Sequence, residues 1–346
     1  MTPRITSIST ANPPLRMDQS AIIDLIMKQD FSVRSKKYYE RFMSDDGVRS
    51  RTFAIDRMER ILTEDADAAT ARFETQATAL AVEAGRKSLA AAGLRPDQVD
   101  GLVIVTCTGY LCPGLTSYVG EALGVRKDVF ILDIVGHGCG AAVPGLRVAE
   151  QFLLAAKKGN LLFIAVEICS ATFVHAESVD LLLSNSIFGD GAAACVLTCD
   201  EKPGWQMIQH GCLLFPETRD QLRFRTVNAR LQNVLGKAVP QFVSAGVKAL
   251  LTEMTIARLP EVLVFHPGGR LILDRIEETL GLAPEALKVS RHILAEYGNM
   301  SSPSVMYILK HLAETQVFSD GTPALMVSYG AGTSVNGALL RWTEKS

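Results

Sequence analysis

Two hydrophobic patterns alternate along most of the chain, and together they predict its secondary structure. Short apolar runs rich in Val, Ile and Leu are typical of buried strands, whereas apolar residues three or four positions apart are typical of amphipathic helices. The predicted strands are residues 98–106, 128–135, 161–166, 189–197, 260–266, 323–329 and 337–342, and the predicted helices are 19–27, 34–43, 74–92, 146–156, 242–255 and 303–312. Strands that alternate with helices indicate an α/β fold, preceded by a mostly polar, helical segment over residues 1–75.

The second half of the chain repeats the element order of the first. The strand at 100–106 corresponds to the strand at 260–266, and the glycine-rich corner and helix at Cys139 correspond to the corner and helix at Asn299. This order predicts an internal duplication, with one half over residues 1–200 and the other over 201–346. Because a duplicated fold brings corresponding strand ends together, Cys139, His266 and Asn299 are expected to lie close to one another.

Cys139 stands at the tip of a corner, Gly136-His-Gly-Cys-Gly140, between a predicted strand and a predicted helix. The unpaired N–H groups and the dipole at a helix N-terminus stabilise an anion. A thiol in that position is expected to have a lowered pKa and to serve as a nucleophile. The alternative is a buried structural cysteine beside a glycine-rich turn.

His266 and Asn299 also have ordinary alternatives. His266 is followed by a Pro-Gly-Gly turn, and Asn299 stands before a helix that it could simply cap. The order Cys, His, Asn occurs in papain-like proteases, but Cys139 lacks the aromatic neighbour of the cysteine-protease motif. The absence of a Gly-x-Ser-x-Gly elbow argues against a serine hydrolase.

Composition narrows the class of protein further. The 346 residues are 48% hydrophobic and 21% charged with a net charge of -2, which gives no electrostatic reason to bind nucleic acid or an anionic membrane. No apolar run reaches the ~18 residues of a membrane span. The seven cysteines have no regular spacing and no secretory leader precedes them, so reduced thiols in a cytoplasm are expected. Cys107 and Cys112 have no partners at zinc-finger spacing, so no metal site is expected.

Several motifs together resemble one known family. They are Thr10-Ala-Asn-Pro-Pro14, Gly138-Cys139, Phe188-Gly-Asp-Gly-Ala-Ala-Ala194, His266-Pro-Gly-Gly269, Tyr297-Gly-Asn-Met-Ser-Ser302 and Tyr329-Gly-Ala-Gly332. The chain resembles the type III polyketide synthases, the chalcone and stilbene synthase family, over nearly its whole length. The run Thr106-Cys-Thr-Gly-Tyr110 is similar to that of the bacterial members.

The resemblance implies a thiolase-like fold layered αβαβα, a homodimer, and an acyltransferase that uses CoA thioesters and needs no metal or redox cofactor. It implies that Cys139 takes the starter acyl group from acyl-CoA. His266 would pair with the thiolate, and His266 with Asn299 would stabilise the enolate left when malonyl-CoA loses CO2. Repeated condensation and cyclisation would give a pyrone, a resorcinol or a related polyketide.

Two alternatives to a type III polyketide synthase stay open. A ketoacyl-ACP synthase III-like enzyme shares the Cys-His-Asn set, but such enzymes typically have His-Gln-Ala-Asn where this chain has His266-Pro-Gly-Gly269. The other is a non-catalytic homologue that binds CoA esters, against which the intact set of three residues argues.

The resemblance also implies the substrate-binding residues. Phe188 matches the family's first gatekeeper, whereas the second gatekeeper falls near Leu231-Gln-Asn233, where this chain has no aromatic residue. Cys107 and Cys169 match cavity positions that are Thr in plant enzymes, and Cys112 matches a Met that reaches across the dimer. These small thiols, with one aromatic wall missing, predict an aliphatic starter rather than a bulky aromatic one.

Arg49 and Arg51 lie on alternate positions after a turn, roughly where the family uses basic side chains for CoA. They are expected either to bind the CoA phosphates or to form an ordinary solvated surface.

Overall fold

The structure, a computed structural model, describes residues 2–45 and 47–344 of the chain. Its strands are β1 (Arg4–Ala11), β2 (Leu15–Asp18), β3 (Ser50–Phe53), β4 (Gly101–Val105), β5 (Phe130–Ile134), β6 (Asn160–Glu167), β7 (Gly191–Thr198), β8 (Gly204–Leu214), β9 (Leu222–Val227), β10 (Arg230–Leu235), β11 (Val262–Phe265), β12 (Pro323–Gly330) and β13 (Ser334–Thr343). Its α-helices are α1 (Gln19–Met27), α2 (Val33–Asp45), α3 (Glu59–Thr63), α4 (Ala66–Ala92), α5 (Leu115–Leu123), α6 (Ala142–Ala156), α7 (Val179–Ile187), α8 (Val239–Glu253), α9 (Arg270–Leu280), α10 (Lys288–Tyr297) and α11 (Ser304–Thr315).

One mixed sheet contains both halves, in the order β11-β12-β13-β8-β1-β7-β6-β4-β5. In the N-terminal half β1 pairs antiparallel with β7, β7 antiparallel with β6, and β6 parallel with β4. In the C-terminal half β8, β13, β12 and β11 repeat that order and those directions. The halves meet where Arg4 and Ile5 of β1 pair with Gln206 and Trp205 of β8. The internal duplication expected from the sequence is confirmed, and β5 adds a parallel strand beside β4.

The duplicated strands bury alternate residues on opposite faces, and this arrangement builds five layers. Between the two halves, α6 and α11 form a central layer in contact with Val103 of one half and Val264 of the other. On the outer faces, α4 and α5 cover the N-terminal half at Ile104, and α8, α9 and α10 cover the C-terminal half at Phe265. The αβαβα layering is as expected, although the strands of the two halves are hydrogen-bonded into one sheet.

The N-terminal segment differs most from the sequence prediction. All the predicted strands form, and α1 has the expected bounds, but the N-terminal segment also contains β1, β2 and β3, which were not predicted, and β1 runs through the middle of the sheet. Ser7 of β1 is a buried polar residue with a partner: its hydroxyl donates to the Ser88 carbonyl at 2.9 Å. The helix predicted from residue 74 begins earlier, at Ala66, where the Asp65 carboxylate accepts a hydrogen bond from the Ala68 N–H and caps the helix.

Across residues 2–45 and 47–344, no helix combines the length and the apolar character required to span a membrane.

Candidate active site

The nucleophile corner follows β5 as a short 3-10 turn, Gly138–Gly140, and α6 begins directly after it at Ala142. The C-terminal half packs against this turn so closely that it requires glycine. A Cβ atom on Gly330 would lie 2.3 Å from the His137 carbonyl oxygen and 3.1 Å from the Cys139 nitrogen. The Ser328 hydroxyl donates to the Gly140 carbonyl at 2.9 Å. The duplicated half therefore fixes the position of Cys139 directly, through backbone contact.

His266 follows β11 and is 1% exposed. Its backbone N–H donates to the Val327 carbonyl at 2.9 Å, which continues the pairing of β11 with β12. Its imidazole lies edge-on to the Tyr329 ring, with ring centroids 5.1 Å apart. Its Nδ1 atom is buried and has no hydrogen-bond partner within the part of the chain that the structure describes.

Asn299 is held by both its backbone and its side chain. Its N–H donates to the Ile187 carbonyl at 2.9 Å, and its own carbonyl accepts from Gly189 N–H at 3.1 Å. Asn299 Nδ2 donates to the Gly268 carbonyl at 3.1 Å, and Oδ1 accepts from the Ser301 N–H at 2.8 Å. These two contacts fix the orientation of the amide. Because Nδ2 carries two hydrogens, one donor is left for a ligand.

Cys139, His266 and Asn299 line one cavity of about 470 Å³. The structure therefore brings together the three residues that the sequence placed at corresponding corners of the two halves. Phe188 lies on the same cavity and is also paired with Asn299 in an isolated bridge, so one backbone contact joins the gatekeeper position to the catalytic candidate.

The electrostatics of the pair differ from the sequence expectation. Burial raises the pKa of the Cys139 thiol to about 12, although a hydrogen bond with Ser301 acts in the opposite direction. Burial lowers the pKa of His266 to about 3. The expected lowering of the Cys139 pKa at a helix start is therefore wrong, because desolvation outweighs the stabilising groups. Without substrate, both side chains are neutral at neutral pH.

A buried carboxylate that the sequence analysis did not single out, Glu167, lies at the end of β6. It accepts hydrogen bonds from the Thr108 N–H at 3.1 Å, the Ser302 hydroxyl at 2.7 Å and the Ser301 hydroxyl at 3.2 Å. The Cys107 thiol lies 3.3 Å from both Glu167 Oε1 and the Ser301 oxygen. Glu167 therefore ties the end of β4 to the residues that follow Asn299. The only sequence signal was its position at the end of a predicted strand.

A second, much smaller cavity of about 20 Å³ is also lined by Cys139 and Phe188. Cys107 and Cys169 line it, as the resemblance implied, whereas Cys112 is exposed at the surface of this chain. Burial, with the nearby Glu167 carboxylate, raises the pKa of Cys107 and Cys169 well above the usual value, so both are neutral thiols.

Phe224 is the aromatic residue that the sequence analysis missed. It lies on β9, directly opposite Asn233 of β10, and both residues line the small cavity. Of residues 231–233, near which the second gatekeeper was expected, Asn233 lines this cavity, and an aromatic ring enters the cavity wall from the neighbouring strand. The β9–β10 hairpin was not predicted, so this cross-strand pairing could not be recognised.

Arg51 does not fit the role expected for it. It is 1% exposed, and its Nη1 donates to the carbonyls of Asn185 at 2.7 Å and Phe188 at 2.9 Å. A guanidinium buried on backbone carbonyls cannot meet a solvated CoA phosphate, so this expectation is corrected. Arg49 is exposed and forms an ion pair with Glu296.

Other cations stand at the large cavity. Arg41 of α2, Lys237 and Arg270 line it, and Arg41 also borders an adjoining surface groove with Arg34 and Lys37. On α2 these three basic residues recur at helical spacing, which is a signal that the sequence contained. Over residues 2–45 and 47–344, no three His, Cys, Asp or Glu side chains are placed to hold a metal ion.

A cysteine, a histidine and an asparagine at matched corners of a duplicated αβαβα fold define a thiolase-like condensing enzyme. Residues 8–207 match the family model for FAE1/type III polyketide synthase-like proteins, and residues 208–343 match the model for the C-terminal domain of chalcone and stilbene synthases. The chain therefore belongs to the type III polyketide synthases, the chalcone and stilbene synthase family. It is an acyltransferase of that class.

Individual relatives agree with this assignment. The 1,3,6,8-tetrahydroxynaphthalene synthase of Streptomyces peucetius subsp. caesius is 30% identical over 98% of this chain and 93% of its own length. The bisdemethoxycurcumin synthase of Oryza sativa subsp. japonica is 28% identical over 98% of this chain and 92% of its own length. Among solved structures, 1,3,6,8-tetrahydroxynaphthalene synthase of Streptomyces coelicolor A3(2), a bacterial type III polyketide synthase, superposes with a TM-score of 0.92 at 25% identity. That superposition covers 98% of this chain and 99% of the other.

Proposed function

We propose that this enzyme loads an acyl group from acyl-CoA onto Cys139 and extends it with malonyl-CoA, using His266 and Asn299 for decarboxylation. The observation that carries the proposal is the convergence of a thiol, an imidazole and an oriented amide on one cavity of about 470 Å³. Because Cys139 is a neutral thiol in the free protein, His266 takes its proton as the sulfur attacks the thioester. The free donor of Asn299 then stabilises the enolate oxygen.

The large cavity supports CoA thioesters as substrates. Its lining is largely apolar, and Arg41, Lys237 and Arg270 supply positive charge for phosphates and for the malonyl carboxylate. These residues replace Arg51 in the proposal, and Arg49 stays a candidate for the CoA phosphates at the surface. Thioester exchange and decarboxylation need no metal or redox cofactor, and none is part of the proposed mechanism.

The small cavity supports a small aliphatic starter. Its volume of about 20 Å³ beside Cys139 holds roughly one water, so a bulky starter requires its walls to move. Phe224 further narrows this space. Two relatives are named tetrahydroxynaphthalene synthase, which supports repeated malonyl-CoA extension to a cyclised aromatic product.

A homodimer is part of the proposal. β5 is the edge strand of the sheet, and Phe130, Ile131 and Val135 are 38%, 50% and 45% exposed there. Tyr110, 72% exposed, and the exposed Cys112 lie in the segment that precedes α5. An exposed apolar edge strand is a template for pairing with a second copy, and closed twofold pairing would remove it from water. An Ile131→Lys variant should therefore shift the protein to monomer in light scattering.

The remaining parts of the proposal are a cytoplasmic location and two halves, 1–200 and 201–346. All seven cysteines are thiols, the form that a reducing compartment maintains. The strand order repeated in β1, β7, β6, β4 and in β8, β13, β12, β11 supports the two halves.

Peptide mapping tests the proposed function. Purified enzyme is incubated with a panel of acyl-CoAs and with malonyl-CoA, and both the protein adducts and the product masses are read. We expect the acyl adduct on Cys139, CO2 release from malonyl-CoA, and products that differ by condensed C2 units. An adduct on Cys107 or Cys169 in place of Cys139 contradicts the assignment of the nucleophile.

A further inference from the structure

Tyr329, near the end of β12, makes several contacts in the candidate active site, although no step of the proposed mechanism uses it. It is 2% exposed and lines the large cavity. Its hydroxyl donates to the His266 carbonyl at 2.6 Å and accepts from the Gly268 N–H at 3.4 Å, an N–H that also donates to the His266 carbonyl at 3.1 Å. The same side chain presents its ring to the His266 imidazole at 5.1 Å. One phenol therefore holds both ends of the turn after β11 and one side of the imidazole.

That turn also orients Asn299, because the Gly268 carbonyl accepts the hydrogen bond from Asn299 Nδ2 at 3.1 Å. The residue after Tyr329, Gly330, packs its backbone against the Cys139 nitrogen. All three proposed catalytic groups are thus within one or two contacts of Tyr329.

We propose that Tyr329 is a positioning residue whose hydroxyl fixes the turn from His266 to Gly268, and with it the imidazole of His266 and the amide of Asn299. This inference rests on the function proposed for those two residues. Phenylalanine at this position would keep the ring contact and lose both hydrogen bonds. The positioning effect is therefore assigned to the hydroxyl and can be tested separately from packing.

The hydroxyl is suited to this role at any working pH. Burial raises the pKa of Tyr329 well above its usual range, so the group keeps its proton and remains a donor to the His266 carbonyl. The competing interpretation is that the hydroxyl contributes only to folding stability, as many buried tyrosine hydroxyls do.

Tyr307 provides a matched control for that interpretation. It is buried on α11, and its hydroxyl also donates to a backbone carbonyl, that of Ala11 at 2.9 Å. It lines neither of the two cavities at Cys139. Tyr329→Phe and Tyr307→Phe therefore remove the same chemical group from two buried sites, and only one of these sites touches the proposed machinery.

The experiment measures, for each variant, the melting temperature, the acylation of Cys139 by an acyl-CoA, and CO2 release from malonyl-CoA. Assays are run at a temperature where all proteins are folded. We expect Tyr329→Phe to keep the malonyl-CoA KM within about twofold, while kcat for CO2 release falls by about tenfold or more, since the amide and imidazole lose their fixed geometry. Acylation of Cys139 should fall by less, because that step uses the imidazole of His266 but not the amide of Asn299. Tyr307→Phe should leave the rate per folded molecule unchanged.

Gly268→Ala perturbs the same contact from the other side, because a Cβ there would lie 2.9 Å from the Tyr329 ring and 3.2 Å from its oxygen. CO2 release is measured in the Gly268→Ala variant if Tyr329→Phe yields too little folded protein. Unchanged CO2 release in Tyr329→Phe, or an equal loss in Tyr307→Phe, overturns the positioning role. A wild-type enzyme that releases no CO2 from malonyl-CoA overturns the proposed function instead, so the two failures are distinct.

Discussion

The two halves of the sheet have the same strand order but surround the active site with opposite kinds of environment. The strand registers place Thr106 and His266 at equivalent ends of β4 and β11, and Glu167 and Tyr329 at equivalent ends of β6 and β12. In the N-terminal half a buried carboxylate gathers hydroxyl, thiol and backbone donors. In the C-terminal half a neutral imidazole lies against an aromatic ring with its Nδ1 unbonded within the described chain.

The difference shows how the two halves of a duplicated fold can take different roles at one site. A polar, fully bonded corner is rigid, because each buried donor would cost free energy if it lost its partner. An apolar corner disfavours the charged imidazolium, so the imidazole stays neutral in the protein without substrate. The first environment suits holding Cys107 and Ser301 in place, and the second supplies the neutral imidazole that the proposed mechanism requires.

The largest expected effect is at the amide of the C-terminal half. Asn299→Ala should retain acyl loading on Cys139 but release CO2 from malonyl-CoA about 10²–10³-fold more slowly, the usual cost of removing an oxyanion donor. The control is Asn160→Ala, because Asn160 also donates through Nδ2 to a backbone carbonyl, that of Gln98 at 3.1 Å, far from the cavities. CO2 release at the wild-type rate in Asn299→Ala would remove this residue from the mechanism.

The second prediction compares how much the equivalent residues Glu167 and Tyr329 contribute to the free energy of unfolding. Glu167→Leu leaves several buried donors around β4 without an acceptor, so the free energy of unfolding should fall by about 3 kcal/mol or more. Tyr329→Phe removes one neutral hydroxyl and should cost only about 1 kcal/mol. Urea denaturation of both variants measures the difference. Equal losses would show that the two corners do not differ in the way described.

The sequence allowed the meeting of three residues on one cavity to be predicted, because glycine-rich corners and short apolar strands are local patterns. Cys139, His266 and Asn299 each follow such a pattern, and the repeat of element order related them across the chain. The predictions that failed depend on non-local interactions. The burial of Arg51 on the carbonyls of Asn185 and Phe188 depends on residues more than a hundred positions away, and no local pattern encodes it.

Three further misses have the same physical origin. β1 was missed because a buried serine such as Ser7 looks polar until its partner on α4 is known. Phe224 was missed because its role depends on register: only the pairing of β9 with β10 brings it opposite Asn233. The lowered pKa expected for Cys139 failed because the sequence shows the helix start but not the depth of burial.

A smaller effect is expected in the pH dependence of folding stability, because the imidazole of His266 is neutral in the folded protein. The folded-state pKa of His266 is about 3, below the ordinary value of 6.5, so the unfolded chain binds more protons between these values. Its contribution to stability is complete above pH 6.5 and declines as the pH falls toward 3, by about 2 kcal/mol at pH 5. His266→Gln should therefore lose less stability than wild type between pH 7 and 5.

The matched comparison of wild type and variant isolates His266. Asp190, whose pKa is raised by burial, and His311, whose pKa is lowered by burial and by His292, titrate in both proteins and cancel. Chemical denaturation at pH 5, 6, 7 and 8 gives the free energy of unfolding of each protein as a function of pH. Parallel curves for the two proteins would mean that His266 is hydrated or protonated in the folded state.

The smallest expected effect is on starter length, and it tests the aromatic wall that the N-terminal half receives from the β9–β10 hairpin. Phe224→Ala should enlarge the cavity of about 20 Å³ beside Cys139 and shift the preferred straight-chain acyl-CoA to a longer one. Each additional CH2 buried in an apolar slot gains about 0.8 kcal/mol, so kcat/KM should rise about fourfold per CH2 relative to wild type until the space is full. Arg225→Ala is the control, because Arg225 lies on the exposed side of the same strand. If the length profile of Phe224→Ala follows that of wild type and of Arg225→Ala, the ring is not a wall of the acyl site, and the limit on starter size must come from Phe188 and the thiols of Cys107 and Cys169 instead.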